Sequence, residues 1–207
     1  MTTVLVTGFG PFPGAPFNPT EAVVRHLSRL KRPALRDVRI VGHVFPTSYA
    51  AVDRDLPALI AKHKPDALLM FGVATRAKHL RVETRARNAL ALLPDATAAA
   101  LARHAIAPGG PGALPLPAPF RRLIAGARMA RVKLAPSRDA GRYLCNYLCW
   151  RAAEAAGRPG GPRLAAFVHV PQVARDSRSR PKHRHTDADL ARAGAAILMA
   201  IAAAARR

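Results

Sequence analysis

The chain has 207 residues, half of them hydrophobic, and carries 33 Lys and Arg against 12 Asp and Glu, for a formal net charge of +21. That length and apolar share support a sizeable core and exclude disorder throughout. The charge admits polyanions as partners, but the arginines are scattered along the chain, without a nucleic-acid recognition motif or a paired zinc-ligand spacing. A solvated, arginine-rich surface accounts for them, and nucleic-acid binding is expected to be at most weak and electrostatic.

In chain order, Val4–Val6 is a short apolar, β-branched run ended by Gly8, and reads as a buried strand. The loop after it holds Phe9 and Phe12, which either plug the core edge or line an apolar pocket at the strand's C-terminal end, where open α/β sheets bind ligands. Asn18-Pro19-Thr20-Glu21 then supplies a cap, a proline at the first helical position and an acid in the first turn. The helix it opens turns Val23, Val24, Leu27 and Leu30 inward.

A second strand is expected over 39–45, a helix over 48–62 and a doubly buried strand over 66–72. The alternation implies parallel pairing and one α/β domain over residues 1–207, a three-layer α/β/α sandwich around a mostly parallel twisted sheet. From Val73 to Ser137 the pattern weakens: an extended excursion or hairpin over 80–91, a Gly/Pro-rich loop over 108–119, a short helix over 120–127 and a strand at 132–134. A helix over 142–156 and a strand over 164–170 follow. The polar, basic stretch 172–185 is expected to be mobile, and Thr186 with Asp189 forms a capping box for a last helix. The start of the chain lacks the pattern of a signal peptide, and no run reaches the length of a membrane span, because Arg192 and Gly194 interrupt the Ala-rich end.

Cys145 falls where a Gly- and Tyr-bearing turn, Gly141-Arg142-Tyr143-Leu144, enters an apolar helix. The first amides of a helix lack partners inside it and carry the positive end of its dipole, which stabilises a thiolate. Cys149 lies one turn on, poorly placed for a disulfide with Cys145, and reads as helix packing. The pair suits a reducing cytoplasm.

A thiol nucleophile needs a base and a group that orients the base. Of eight histidines, His43 and His169 stand at the ends of apolar strands, and the residues alone leave both open. Of three glutamates, Glu21 belongs to a helix start and Glu154 to a solvated helix surface; Glu83, among Arg81, Arg85 and Arg87, lacks such an explanation beyond a surface ion pair.

Four motifs in order carry a resemblance: Thr7-Gly8-Phe9-Gly10-Pro11-Phe12 with Asn18-Pro19-Thr20, Glu83 through Asn88, Ala140 through Asn146, and Phe167-Val168-His169-Val170-Pro171. Over nearly its whole length the chain is similar to pyroglutamyl peptidase I, the pyrrolidone-carboxylate peptidase family of cysteine peptidases. The resemblance implies an α/β/α sandwich that removes N-terminal pyroglutamate from blocked peptides without metal or cofactor, and a homo-oligomer, dimer or tetramer. Carried over by position, Cys145 is the nucleophile, His169 the general base and acid, and Glu83 the residue orienting the imidazole. Phe9 and Phe12 match the apolar clamp on the pyrrolidone ring, Asn18 a polar residue near it, and Tyr143 and Leu144 the flank of the nucleophile.

The chain departs from the family after Gly72, where Val73-Ala74-Thr75-Arg76-Ala77 replaces the usual Gln-Ala-Gly-Gly-Arg, and after Asn88, where acidic residues and an arginine are missing. Val73 cannot make the hydrogen bonds of that glutamine. Two other readings therefore stand beside the peptidase: a diverged member acting on another small acyl amide, and a basic protein on the same scaffold binding nucleic acid.

Overall fold

A computed structural model describes residues 1–12, 16–173 and 185–206. In chain order the elements are β1 (Thr2–Phe9), α1 (Pro19–Ser28), β2 (Val38–Phe45), α2 (Tyr49–His63), β3 (Ala67–Val73), β4 (Leu80–Glu83), β5 (Arg85–Arg87), β6 (Ala113–Pro115), α3 (Phe120–Met129), β7 (Leu134–Ser137), α4 (Leu144–Ala156), β8 (Leu164–Val170) and α5 (Asp187–Ala205). Six strands form one sheet in the order β2-β1-β3-β8-β4-β7, while β5 and β6 pair separately.

The period of two along each strand divides the core. Val4 and Val6 of β1, Leu69 and Phe71 of β3, and Ala166 and Val168 of β8 enter one cluster, with Leu27 of α1, Leu123 of α3 and Ile197 and Ile201 of α5. Leu5, Leu68, Met70, Ala165 and Phe167 enter the other, with Val52 and Leu56 of α2 and Tyr147, Leu148 and Trp150 of α4. The expected three-layer α/β/α sandwich is therefore present, with two helices on one face of the sheet and three on the other.

Several local features follow directly from the residues. Asn18 caps α1 by accepting from the Thr20 amide, with Pro19 at the first helical position. Thr186 and Asp189 make the reciprocal capping box of α5.

Other expectations shift. The excursion over 80–91 divides into β4, inside the main sheet, and β5, outside it. β4 runs antiparallel to β8 and parallel to β7, because the interval from Val73 to Leu80 is too short for the crossover that a parallel return requires. The strand expected at 132–134 begins at Leu134, and the Gly/Pro-rich loop contributes β6. Glu154 is not simply solvated, since its carboxylate accepts from Trp150 Nε1 at 2.6 Å and Arg151 at 2.9 Å.

The C-terminal helix is, contrary to expectation, long and apolar enough by length and composition to cross a membrane. Arg192 and Gly194 do not break it, and its apolar stripe, including Leu190, Ile197, Leu198 and Ile201, is buried against the sheet. Of the basic stretch expected to be mobile, 172–185, residues 174–184 lie outside the described residues.

Candidate active site

Strand parity and register bring three of the candidate residues to one place. In β8, His169 shares its face with Ala165 and Phe167, the face that α4 covers. In β4, Leu80 and Val82 point into the opposite core, so Arg81 and Glu83 point to the α4 side. The β4–β8 ladder sets Arg81 opposite His169 and Glu83 opposite Phe167, leaving Glu83 diagonal to the imidazole. His169 Nδ1 lies 2.7 Å from Glu83 Oε1, with Glu83 fully buried and His169 nearly so.

Cys145 is the second residue of α4, whose N-cap, Tyr143, offers no side-chain cap, so the first amides of the helix are left without that partner. The sulfur lies over Gly72 of β3: a Cβ added at Gly72 would stand 2.7 Å from Cys145 Sγ and 2.6 Å from Phe167 Cζ. Gly72 is the register partner of His169, so the thiol of α4, lying over β3, stands level with the imidazole of neighbouring β8. With Nδ1 committed to Glu83, the ring's hydrogen bond to Cys145 falls to Nε2. Burial alone would lower the His169 pKa, but the Cys145 sulfur and the Glu83 carboxylate outweigh it and push the imidazole up to about 9.

Behind the ring, Arg81 Nε stands 3.9 Å from Glu83 Oε1. Arg81 Nε and Glu83 Oε2 are both buried and without a hydrogen-bond partner. The imidazole thus faces a compact group of charges, with one carboxylate oxygen fixed on it.

Cys145 and His169 open into a cavity of about 520 Å³ that Phe9, Phe12, Asn18, Val73, Tyr143 and Leu144 also line. Phe9 packs on Phe45, and Phe12 leans on Tyr143, their ring centroids 6.5 Å apart. Tyr143 is pinned at its far end by a hydrogen bond from its hydroxyl to the Pro94 carbonyl. Asn18, although in the wall, is largely committed to the fold: its oxygen accepts from the Thr20 amide and hydroxyl, and its amide donates to the Gly10 carbonyl.

Thr47, Arg76, Arg81 and Asp139 complete parts of the wall and were not singled out from sequence. Arg81 was legible in principle, since it shares strand parity with Glu83. Asn146 was legible too, as a lone amide in an apolar helix. It is fully buried, accepts from the Arg87 amide and donates to the carbonyls of Arg87 and Ala89, binding β5 and the following loop to α4. Thr47, Arg76 and Asp139 lie outside helices and strands, and only the tertiary fold collects them.

The rival histidine is placed elsewhere. His43 lies on the edge strand β2, 3.5 Å from Asp55 of α2 and edge-on to Phe45. Cys149 is fully buried, which pushes its thiol well above the ordinary range and leaves it inert packing.

A thiol at a helix start, facing a buried histidine that a carboxylate orients, is the arrangement that cysteine hydrolases use for acyl transfer. Comparison with known proteins agrees with that class. The pyroglutamyl peptidase family model matches residues 2–207. The chain is 30% identical over 171 residues to the pyrrolidone-carboxylate peptidase of Pyrococcus furiosus, covering 82% of this chain and 81% of that one. It is 32% identical over 173 residues to the enzyme of the same name from Clavibacter michiganensis, covering 83% and 79%. The crystal structure of Bacillus amyloliquefaciens pyroglutamyl peptidase I superposes with a TM-score of 0.86 at 25% identity, covering 98% of each chain. The pyrrolidone carboxyl peptidase of Thermococcus litoralis gives 0.86 at 26%, covering 97% and 93%. This chain belongs to the pyroglutamyl peptidase family and is a peptidase.

Proposed function

We propose that the protein hydrolyses the amide bond that follows an N-terminal pyroglutamyl residue, with Cys145 as nucleophile, His169 as general acid and base, and Glu83 as the residue orienting the imidazole. The observation that carries this reading is the meeting of the Cys145 sulfur and the Glu83-bound His169 in the wall of one cavity with Phe9 and Phe12.

The thiolate adds to the acyl carbon, and the resulting oxyanion is met by the uncapped amides at the start of α4. His169, protonated while it faces the thiolate, gives its proton to the departing amine. The thioester is then cleaved by a water that the neutral imidazole deprotonates, releasing pyroglutamate and restoring the thiol. Phe9 and Phe12 hold the flat ring, Tyr143 and Leu144 flank the nucleophile, Asn18 keeps the loop of Gly10 in place, and Val73 closes the wall beside the acyl group.

A fluorogenic pyroglutamyl amide tests the reading directly. Hydrolysis by the native protein and loss of at least about 10³-fold in Cys145→Ala are expected; equal rates from the two proteins would refute it.

One observation favours a second acyl group. Val73 lines the cavity, and the Asn18 side chain is largely spent on Gly10 and Thr20, so side-chain hydrogen bonding to the lactam is sparse. A panel of amides bearing pyroglutamyl, cyclopentanoyl and prolyl groups separates the two readings: a preference of about 100-fold for pyroglutamyl eliminates the second.

The same resemblance supports a single domain over residues 1–207 that assembles as a homodimer or homotetramer, acts on peptides with blocked N-termini and works in the cytoplasm. The two free cysteines suit that reducing compartment. Light scattering on the purified chain tests the assembly, and a monomer at micromolar concentration would contradict it.

A further inference from the structure

A second cavity, of about 840 Å³, adjoins the first, and Arg76 and Arg81 line both. Its described walls present six cations, Arg76, Lys78, Arg81, Arg131, Lys133 and Arg192, against one carboxylate, Asp189. That carboxylate is already occupied: it accepts from the Thr186 amide and hydroxyl and lies 2.5 Å from Arg192. Arg76, Lys78, Arg131 and Lys133 make no ion pair among the described residues. His79, in the same wall, is held below its ordinary pKa by burial and by the charges of Lys133, Arg81 and His185. The cavity is therefore a concentrated positive field at the edge of the catalytic groups, and an entering anion relieves its repulsion.

The reaction decides what enters. A leaving amine takes its proton from His169 and so departs on the imidazole's side of the thiol. The residue directly across the β4–β8 ladder from His169 is Arg81, and beyond Arg81 lies the basic cavity.

Resting on the proposed acyl transfer, we propose that this cavity is the leaving-group subsite and that it selects peptides bearing a carboxylate just beyond the scissile bond. The carboxylate belongs either to an acidic side chain or to the chain terminus of a very short peptide.

The test compares kcat/KM for pyroglutamyl-Glu-amide, pyroglutamyl-Gln-amide and pyroglutamyl-Gln with a free C-terminal carboxylate. Either carboxylate should raise kcat/KM about tenfold over the neutral amide at low salt, through KM, with the advantage shrinking in about 0.5 M salt. In Arg131→Gln/Lys133→Gln the advantage should fall to about twofold or less. A preference for the glutamyl amide alone assigns the side chain as the carboxylate; a preference for the free terminus alone assigns the terminus.

A parallel measurement does not depend on the acyl group: calorimetric binding of Glu-Ala-amide and Gln-Ala-amide to Cys145→Ser. Selective, salt-sensitive binding of the acidic peptide, lost in the added Arg131→Gln/Lys133→Gln background, sustains the subsite even if pyroglutamyl amides prove not to be substrates. Cleavage with equal kcat/KM for all three substrates, or equal binding of the two peptides, overturns the subsite and leaves the acyl-group reading standing. Displacement of the acidic peptide by a short oligonucleotide at sub-stoichiometric concentration would also overturn it, because the cavity would then be part of a polyanion surface.

Discussion

The imidazole of His169 carries the most information at the scale of single residues. Its burial opposes the charged form, yet the Cys145 sulfur and Glu83 hold the proton up to about pH 9. In the proposed mechanism the raised group is the acid that protonates the leaving amine, so kcat/KM should hold through neutral pH and fall as pH rises through about 9. Glu83→Gln removes one of the charges that hold the proton, so this alkaline limb should move to lower pH, with kcat reduced roughly 10²- to 10⁴-fold. A limb that stays where it was would remove Glu83 from control of the ring.

Gly72 acts by what it lacks. Gly72→Ala would set a methyl group 2.7 Å from Cys145 Sγ and 2.6 Å from Phe167 Cζ, so the thiol proposed as nucleophile must shift. A loss of roughly 10²-fold in kcat is expected from a displacement of about 1 Å, with about 1–3 kcal/mol of stability lost to overpacking. Kinetics and thermal unfolding on the same preparation separate the two effects, and unaltered kinetics would show that the thiol does not depend on that space.

Among elements, α4 is the hinge between core and chemistry. One end delivers Cys145; its buried face fills the core with Tyr147, Leu148 and Trp150. Between these roles Asn146 ties α4 to β5 through two hydrogen bonds with Arg87, both 2.8 Å, and to the following loop through one with Ala89 at 3.0 Å. Asn146→Ala orphans the Arg87 amide and two carbonyls, and should cost roughly 2–4 kcal/mol of unfolding free energy by denaturant titration. Glu83 and Arg87 belong to successive short strands, so the same variant should loosen the carboxylate that orients His169 and lower kcat as well as stability. A stability loss with kcat intact would confine Asn146 to the fold.

The loop 95–99 is a smaller case of an element held by one residue. Asp95 accepts from the amides of Tyr49, Thr97 and Ala99 and from the Thr97 hydroxyl, which fastens the loop to the start of α2. Burial by itself would raise this carboxyl, but those bonds, with one from Ser48, hold it below the ordinary carboxylate range. The sign of the linkage follows: the latch contributes fully above the ordinary value of 3.8 and is lost as pH falls through the lowered one. Since Tyr143 bonds to Pro94 next door, this latch also steadies the cavity wall.

At the scale of the whole molecule the net charge of +21 is the dominant property. Spread over the surface, it is expected to give only weak polyanion association; gathered around the basic cavity, it would supply the selectivity proposed above. Binding of a labelled oligonucleotide, followed by anisotropy, should be measurable near 0.05 M salt and fall by roughly 10³-fold or more by about 0.2 M. Tight binding that persists at the higher salt would instead revive the nucleic-acid reading.

The elements legible from sequence were those whose signals are local. The apolar run of β3, the Asn18-Pro19 start of α1 and the Thr186–Asp189 box of α5 each declare themselves within a few residues, because capping and strand burial depend on neighbours in the chain. The region from Val73 to Ser137 was obscure for the converse reason. Its strands are three or four residues long, β5 and β6 find each other across 25 intervening positions, and β4 joins the main sheet by pairing with the distant β8 and β7.

The site divides along the same line. Residue types and order, with the family resemblance, named Cys145, His169 and Glu83, since a thiol at a helix start and a histidine at a strand end are local facts. That His169 rather than His43 faces the thiol was a matter of which strand lies at the sheet's centre and which at its edge. That Glu83 meets the imidazole rather than solvent was decided by the antiparallel register of β4 on β8. Local sequence determined the chemistry available to this protein, because reactivity belongs to side chains and their immediate backbone. Only the tertiary structure decided which groups share a face and which charges stand together, because register and burial are set by residues far apart in the chain.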